Sequence, residues 1–210
     1  MTTEALKLIL VDINPALCSA FKQAFEGLPN VQVVNGMFEQ VAEYDCMVSP
    51  ANSFGLMDGG IDAAITSYFG AQLMQRVQDY IIAEYLGEQP VGTSFIIETK
   101  HPQHAFLAHT PTMRVPMAIA RTDHVYVAMA AMLRAVYHHN KSTQTPICSV
   151  LCPGLGTATG QVPFREAARQ MALAYKNFLK PPLSISWHLA GERQSEVRYG
   201  GDMGFDFPAE

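Results

Sequence analysis

The sequence predicts an α/β protein, one three-layer α/β/α sandwich built around a largely parallel or mixed central sheet. Three observations predict it. Strand-like and helix-like segments alternate along the 210 residues. Most strand segments are short continuous apolar runs, the pattern of strands covered on both faces. No repeat, low-complexity block or interior linker interrupts the series.

The first run, "LKLILVD", residues 6–12, reads as a buried strand. A helix follows: Asn14 can cap it, Pro15 suits its first position, and Leu17, Ala20, Phe21, Ala24 and Phe25 share one face. Gly27 and Pro29 end it. A second strand spans 31–34, and Asn35-Gly36 turns the chain. "YDCMVSP", 44–50, is the third. Ile61, Ala64, Ile65, Tyr68 and Phe69 then recur at helical spacing up to Gly70, and another helical pattern runs from 72 to 86. Strands are expected over 93–99 and 105–111, with "KHPQH" as the turn between them. Thr122 is positioned to cap a helix whose inner face holds Val125, Ala128, Met129, Met132, Leu133 and Val136. "PICSVLCPG", 146–154, reads as a strand. A helix from about Pro163 carries Phe164, Ala167, Ala168, Met171 and Tyr175. "LSISWHLA", 183–190, has the alternation of a last strand. The single domain is expected over 1–190. Residues 191–210 then form a glycine-rich polar tail that could pack through Phe205 and Phe207.

Composition narrows the function. A net charge of -5 argues against a nucleic-acid surface, since phosphate-backbone binders carry a basic excess. It leaves a nucleotide ligand open, because backbone N–H groups alone can bind a diphosphate. No apolar run approaches the ~20 residues that span a bilayer. The start of the chain lacks the basic and apolar regions of a signal peptide, so a cytoplasmic protein without membrane contact is expected. Cys18, Cys46 and Cys148 sit in apolar surroundings and read as buried free thiols; Cys148 and Cys152 lack the partners of a zinc site. Neither metal nor cofactor is called for.

Two strand–loop–helix junctions carry the chemistry: "SPANSFGLMDGGID", from Ser49, and "CPGLGTATGQVP", from Cys152. In open α/β sheets ligands bind beyond the carboxyl ends of the strands. Glycines bring backbone N–H groups against a ligand with no Cβ in the way. The first turn of the following helix adds free donors and partial positive charge. Facing each other, the two loops would cradle an extended anion such as a diphosphate. Neither is a P-loop or a dinucleotide fingerprint: no Gly-Lys-Ser/Thr follows, and the first strand leads into "DINPAL".

"VSPANSFGLMDGGIDAAI" resembles the macrodomain signature, a strand ending in Asn-Ala-Ala-Asn, a Gly-rich segment, then Val-Asp-Gly-Ala-Ile. Asn52 matches the final asparagine, Gly59 and Gly60 the glycines, Asp62 the aspartate. "PVGTSFIIET", "AFLAHTPT" and "PGLGTATG" resemble the family's later motifs in order. The likeness extends from about Val31 to Tyr175. It implies a mixed central sheet and a protein that binds ADP-ribose or a related nucleotide diphosphate sugar and hydrolyses ADP-ribosyl linkages. The partners implied are ADP-ribose or an ADP-ribosylated substrate, with nucleic acid only as such a substrate. Two alternatives stay open: a non-catalytic ADP-ribose-binding module, and a phage-related assembly protein with a vestigial pocket.

The resemblance implies roles. The Asn52 amide would bond the distal ribose hydroxyls, although an asparagine after a strand can equally satisfy its own loop. Asp62 would orient or deprotonate a water beside the anomeric carbon, or only favour the helix dipole. Asp58 is a rival for the catalytic role. Ser53, Gly59, Gly60 and Ile61 on one side, and Gly154, Leu155, Gly156, Thr157, Ala158, Thr159 and Gly160 on the other, would bind the ligand. Phe164 could stack on a ribose or belong to the core. His109 reads as structural, and His138-His139 as a favourable charge at a helix end. The family's Gly-Asp-Ile, whose aspartate contacts the adenine amine, is replaced by "NGMFEQV", with Met37 in place of the acid. Glu39 or Asp12 could substitute.

Overall fold

Six of the apolar runs become strands: β1 (Lys7–Asp12), β2 (Val31–Asn35), β3 (Cys46–Ser49), β4 (Phe95–Glu98), β5 (Phe106–His109) and β6 (Ser149–Pro153). They form one sheet in the order β2-β1-β6-β3-β5-β4. Only β4 runs antiparallel to its neighbour; the other pairs are parallel. The sheet is therefore mixed. This computed structural model describes residues 6–197.

Period-two alternation divides the sheet between two cores. Leu8, Leu10, Cys46, Val48, Val150 and Cys152 point to one face. There they meet α1 (Pro15–Ala24), α4 (His124–Ser142) and α5 (Phe164–Leu179). Ile9, Val11, Met47, Leu107 and Leu151 point to the other face, under α2 (Gly60–Phe69) and α3 (Gln72–Tyr85). Burial on both sides explains why these strands read as unbroken apolar runs. The expected α/β/α sandwich is what the chain forms.

Local signals act as their chemistry dictates. Asn14 Oδ1 accepts the Ala16 amide at 2.9 Å, with Pro15 next in the helix. α4 starts one residue beyond Thr122, at the N-cap Asp123, and Thr122 Oγ1 accepts from the His124 amide at 3.3 Å. His139 and Lys141 lie in its last turn, where positive charge is favoured.

Two expectations fail. Residues 183–190 are not a strand: Leu183 and Ile185 are fully exposed, and α6 (Trp187–Val197) begins within the segment. Alternation marks a segment able to form a strand, but joining the sheet depends on where the chain delivers it, and this segment extends neither edge strand, β2 or β4. α6 instead folds back on α5, where Arg169 donates to the carbonyls of Glu196 and Val197 at 2.6 and 3.2 Å. The expected boundary after residue 190 falls inside this helix. Cys148 is the second correction. It is exposed, because it precedes β6, whereas Cys18, Cys46 and Cys152 are buried. Phe205 and Phe207 lie outside the described residues. Among those described, no helix is long and apolar enough to cross a membrane.

Candidate functional site

The chain leaves the carboxyl ends of β3 and β6, neighbours at the centre of the sheet, into the two glycine-bearing loops. Both line one groove. A cavity of about 330 Å³ has Ala51, Asn52, Asp58, Gly59, Gly60, Ile61 and Asp62 on one wall and Gly154, Gly156, Thr157, Ala158, Thr159 and Gly160 on the other. Thr112, Met113 and Pro116 close its far side. A second cavity of about 550 Å³ continues it, sharing Gly60, Ile61, Gly154, Thr157 and Ala158. Its own walls include Asp12, Met37, Glu39 and Phe164.

The first loop is held in place by pairing beyond the strands. The Thr110, Thr112 and Ser53 amides bond the carbonyls of Ser49, Ala51 and Arg114, at 3.0, 3.0 and 3.1 Å, so the segments after β3 and β5 run side by side. Within the loop the Asn52 side chain accepts from the Phe54 and Leu56 amides at 3.0 and 3.3 Å and donates to the Leu56 carbonyl at 2.8 Å. This is an Asx turn, leaving one amide hydrogen on Nδ2 for a ligand. The loop ends at Gly59, the N-cap of α2, where no side chain caps the helix. The amides of the first turn, Gly60, Ile61 and Asp62, thus have no intrahelical acceptor and border the groove. Asp58 is exposed beside them.

The second loop needs its glycines. A Cβ on Gly160 would lie 2.5 Å from the Gly156 carbonyl oxygen. Gly156 has φ +67°, and its Cβ would press on Ile119, Val125 and Val162. The shape is pinned by bonds from Val162 N to Gly156 O, 3.0 Å, and from Ile119 N to Gly160 O, 2.8 Å. Among the described residues no lysine or arginine lines either part of the groove. Any anion must therefore be held by backbone N–H groups, the α2 dipole and the Thr157 and Thr159 hydroxyls.

Asp62 is the chemically unusual group. It is buried to 8 % exposure and accepts a 2.6 Å bond from the Ser49 hydroxyl on Oδ1. Burial lifts its pKa from the ordinary 3.8 to about 6, outweighing the lowering effect of that bond. A wall carboxylate titrating there is suited to accepting a proton near neutral pH.

Two expected ligand residues stay outside the groove. The Ser53 side chain is buried under the first loop, whose pairing with residue 114 and Gln89 turns it inward. Leu155 packs into the core with Ile119 and Val162, anchoring the second loop from below. His109 does not line the groove either: it is fully buried, with Nδ1 2.6 Å from Gln89 Oε1. Phe164 packs on the core, one of its two expected places, and also lines the larger cavity. Ser49, Thr112, Met113 and Pro116 were not anticipated. Ser49 carries a signal only in retrospect, a hydroxyl on the last residue of the strand entering the loop. Among the described residues no three His, Cys, Asp or Glu side chains cluster as metal ligands.

The family model named Macro, for Macro domain, matches residues 48–171, from within β3 to within α5. An uncharacterized protein of Aquifex aeolicus (strain VF5) is 28% identical over 149 residues, covering 71% of this chain and 82% of that protein. Solved structures share the fold. The macrodomain of Mycobacterium tuberculosis DarG superposes with a TM-score of 0.56 at 17% identity, over 68% of this chain and 88% of that one. A glycine-to-valine variant of the Oceanobacillus iheyensis macrodomain, solved with ADPR, gives 0.58 at 16% identity, over 94% and 95%.

Proposed function

The chain belongs to the Macro domain family, and from that premise we propose that its groove binds ADP-ribose and that Asp62 hydrolyses ADP-ribosyl linkages there. The observation that carries this reading is the shared groove itself, walled by the first turn of α2 on one side and the glycine loop after β6 on the other. The diphosphate spans the two walls and takes N–H donors from both. The distal ribose lies in the smaller cavity beside Asn52 and Asp62, and the nucleoside in the larger one. The ADPR carried by the Oceanobacillus iheyensis variant of the same fold supports this ligand class.

In the hydrolytic step a water oxygen bonds to the anomeric carbon as the bond to the adduct breaks. The leaving group departs with the electron pair, and Asp62 takes the water proton. The carboxylate also stabilises the oxocarbenium character of the sugar. Ser49 holds the carboxylate in orientation through Oδ1. Oδ2 accepts no hydrogen bond among the described residues, which leaves it for the water.

A second reading, binding without turnover, draws on one observation: Asn52 makes three bonds within its own loop. Calorimetry with ADP-ribose tests the shared part, and no heat at millimolar ligand would remove both readings. Turnover of an ADP-ribosylated protein by the unaltered chain, Asp62→Ala and Asn52→Ala separates them. Equal rates in all three would remove the catalytic assignment.

A further inference from the structure

We propose that Asp12, on β1, reads the exocyclic amine of the nucleoside base. The inference rests on the binding reading above and adds the residue that selects the base. The larger cavity has apolar surfaces from Ile61, Leu17 and Phe164, suited to a flat ring. Among the described residues its charged groups are two carboxylates, Asp12 and Glu39, and no cation faces them from the cavity walls. Such a lining accepts hydrogen bonds and offers no charged donor. It complements a base that presents an amine and opposes one that presents a carbonyl at the same place.

Geometry separates the two acids. Asp12 is the last residue of β1, and its Oδ1 accepts the Asn14 amide at 2.8 Å. Its Oδ2 lies so close to the second loop that a Cβ on Gly154 would approach it to 3.2 Å. The carboxylate is thus held between the strand end and the loop, with Oδ2 free of any protein donor among the described residues. Glu39 sits in the short turn Phe38–Gln40 after β2, and no hydrogen bond fixes its carboxylate among the described residues. Met37, which lines the same cavity, is half-exposed at 51 % and has no group that accepts from an amine strongly. A fixed acceptor discriminates between bases; a loose one does not.

The test is calorimetry on the full chain with ADP-ribose and with its hypoxanthine analogue, inosine diphosphate ribose, for the unaltered protein, Asp12→Asn and Glu39→Gln. Asparagine keeps the acceptor for Asn14 and can turn a donor or an acceptor to the base. The unaltered protein should prefer the adenine ligand about tenfold, the scale of one bond to a charged acceptor. Asp12→Asn should reduce the preference to about twofold or less, and Glu39→Gln should leave it in place. Equal binding of the two ligands by the unaltered protein overturns the inference while leaving ADP-ribose binding intact. So does an Asp12→Asn loss that is the same for both ligands, because the acid would then serve a ribose hydroxyl or the loop. Binding of neither ligand overturns the reading of the groove itself.

Discussion

The Ser49 hydroxyl lies 2.6 Å from Oδ1 of Asp62, joining the last residue of β3 to the first turn of α2 across thirteen residues of chain. Ser49 is wholly buried and Asp62 nearly so. The bond orients a carboxylate that burial would otherwise neutralise, and places it on the groove wall.

Its titration sets a pH dependence. If Asp62 accepts the proton, hydrolysis should rise with pH through about 6 and then level off. Ser49→Ala removes the contribution that lowers the pKa, so the inflection should move upward. A pH series of kcat/KM on both proteins checks the direction. An inflection that stays in place would detach Ser49 from the titration.

The same group affects stability. The folded chain holds the Asp62 proton more tightly than the unfolded chain, so stability is greatest below the ordinary 3.8 and falls as pH rises to about 6. The loss is on the order of 3 kcal/mol. Asp62→Asn should abolish turnover and yet resist urea better than the unaltered protein at pH 8, with the difference fading near pH 4.

His109 acts in the opposite direction. Burial pushes its pKa from 6.5 down to about 3, so the folded state excludes the proton that the unfolded chain binds. Stability should therefore decline as pH falls through 6.5 towards 3, by several kcal/mol in all. Replacing both His109 and Gln89 with leucine removes the pair without leaving either partner alone. Urea melts between pH 7 and 4 should show a flatter decline in that double variant.

Gly160 and Gly59 should respond differently to alanine. At Gly160 the new Cβ meets the Gly156 carbonyl oxygen at 2.5 Å, while at Gly59 nothing lies within 4 Å. Gly160→Ala should destabilise the chain by about 1–3 kcal/mol and weaken ADP-ribose at least tenfold. Gly59→Ala should fold normally. Thermal melts and calorimetry on the two proteins decide it.

Asn52→Ala should cost about 1–3 kcal/mol of stability even without ligand, since two loop amides and one carbonyl lose their partner together. Limited proteolysis between residues 52 and 58 reports the loosened loop. Unchanged protease resistance would mean that the Asx turn does not hold it.

Much of this was legible in the chain. Leu8 and Leu10 face one core and Ile9 and Val11 the other, which is why residues 6–12 read as an unbroken apolar strand. Asn52, Asp62 and the Gly154–Gly160 loop stood out because their chemistry is local: an amide after a strand, an acid in a first turn, glycines where a Cβ does not fit. "LSISW" misled for the same reason. Its alternation is local, but a strand must also be delivered against a partner strand, and Leu183 and Ile185 face solvent instead.

The sequence by itself determined the succession of strands and helices, their buried faces and the two loops fit for an anion, because periodicity, capping and glycine act over a few residues. Only the tertiary structure decided that the loops share one groove, that Ser49 meets Asp62, that Ser53 and Leu155 turn inward, and that Asp12 lines the same wall as Met37. Those relations depend on strand order. β1 lies beside β6 and β6 beside β3, and hydrogen bonding between distant strands leaves no mark in the residues that flank a loop.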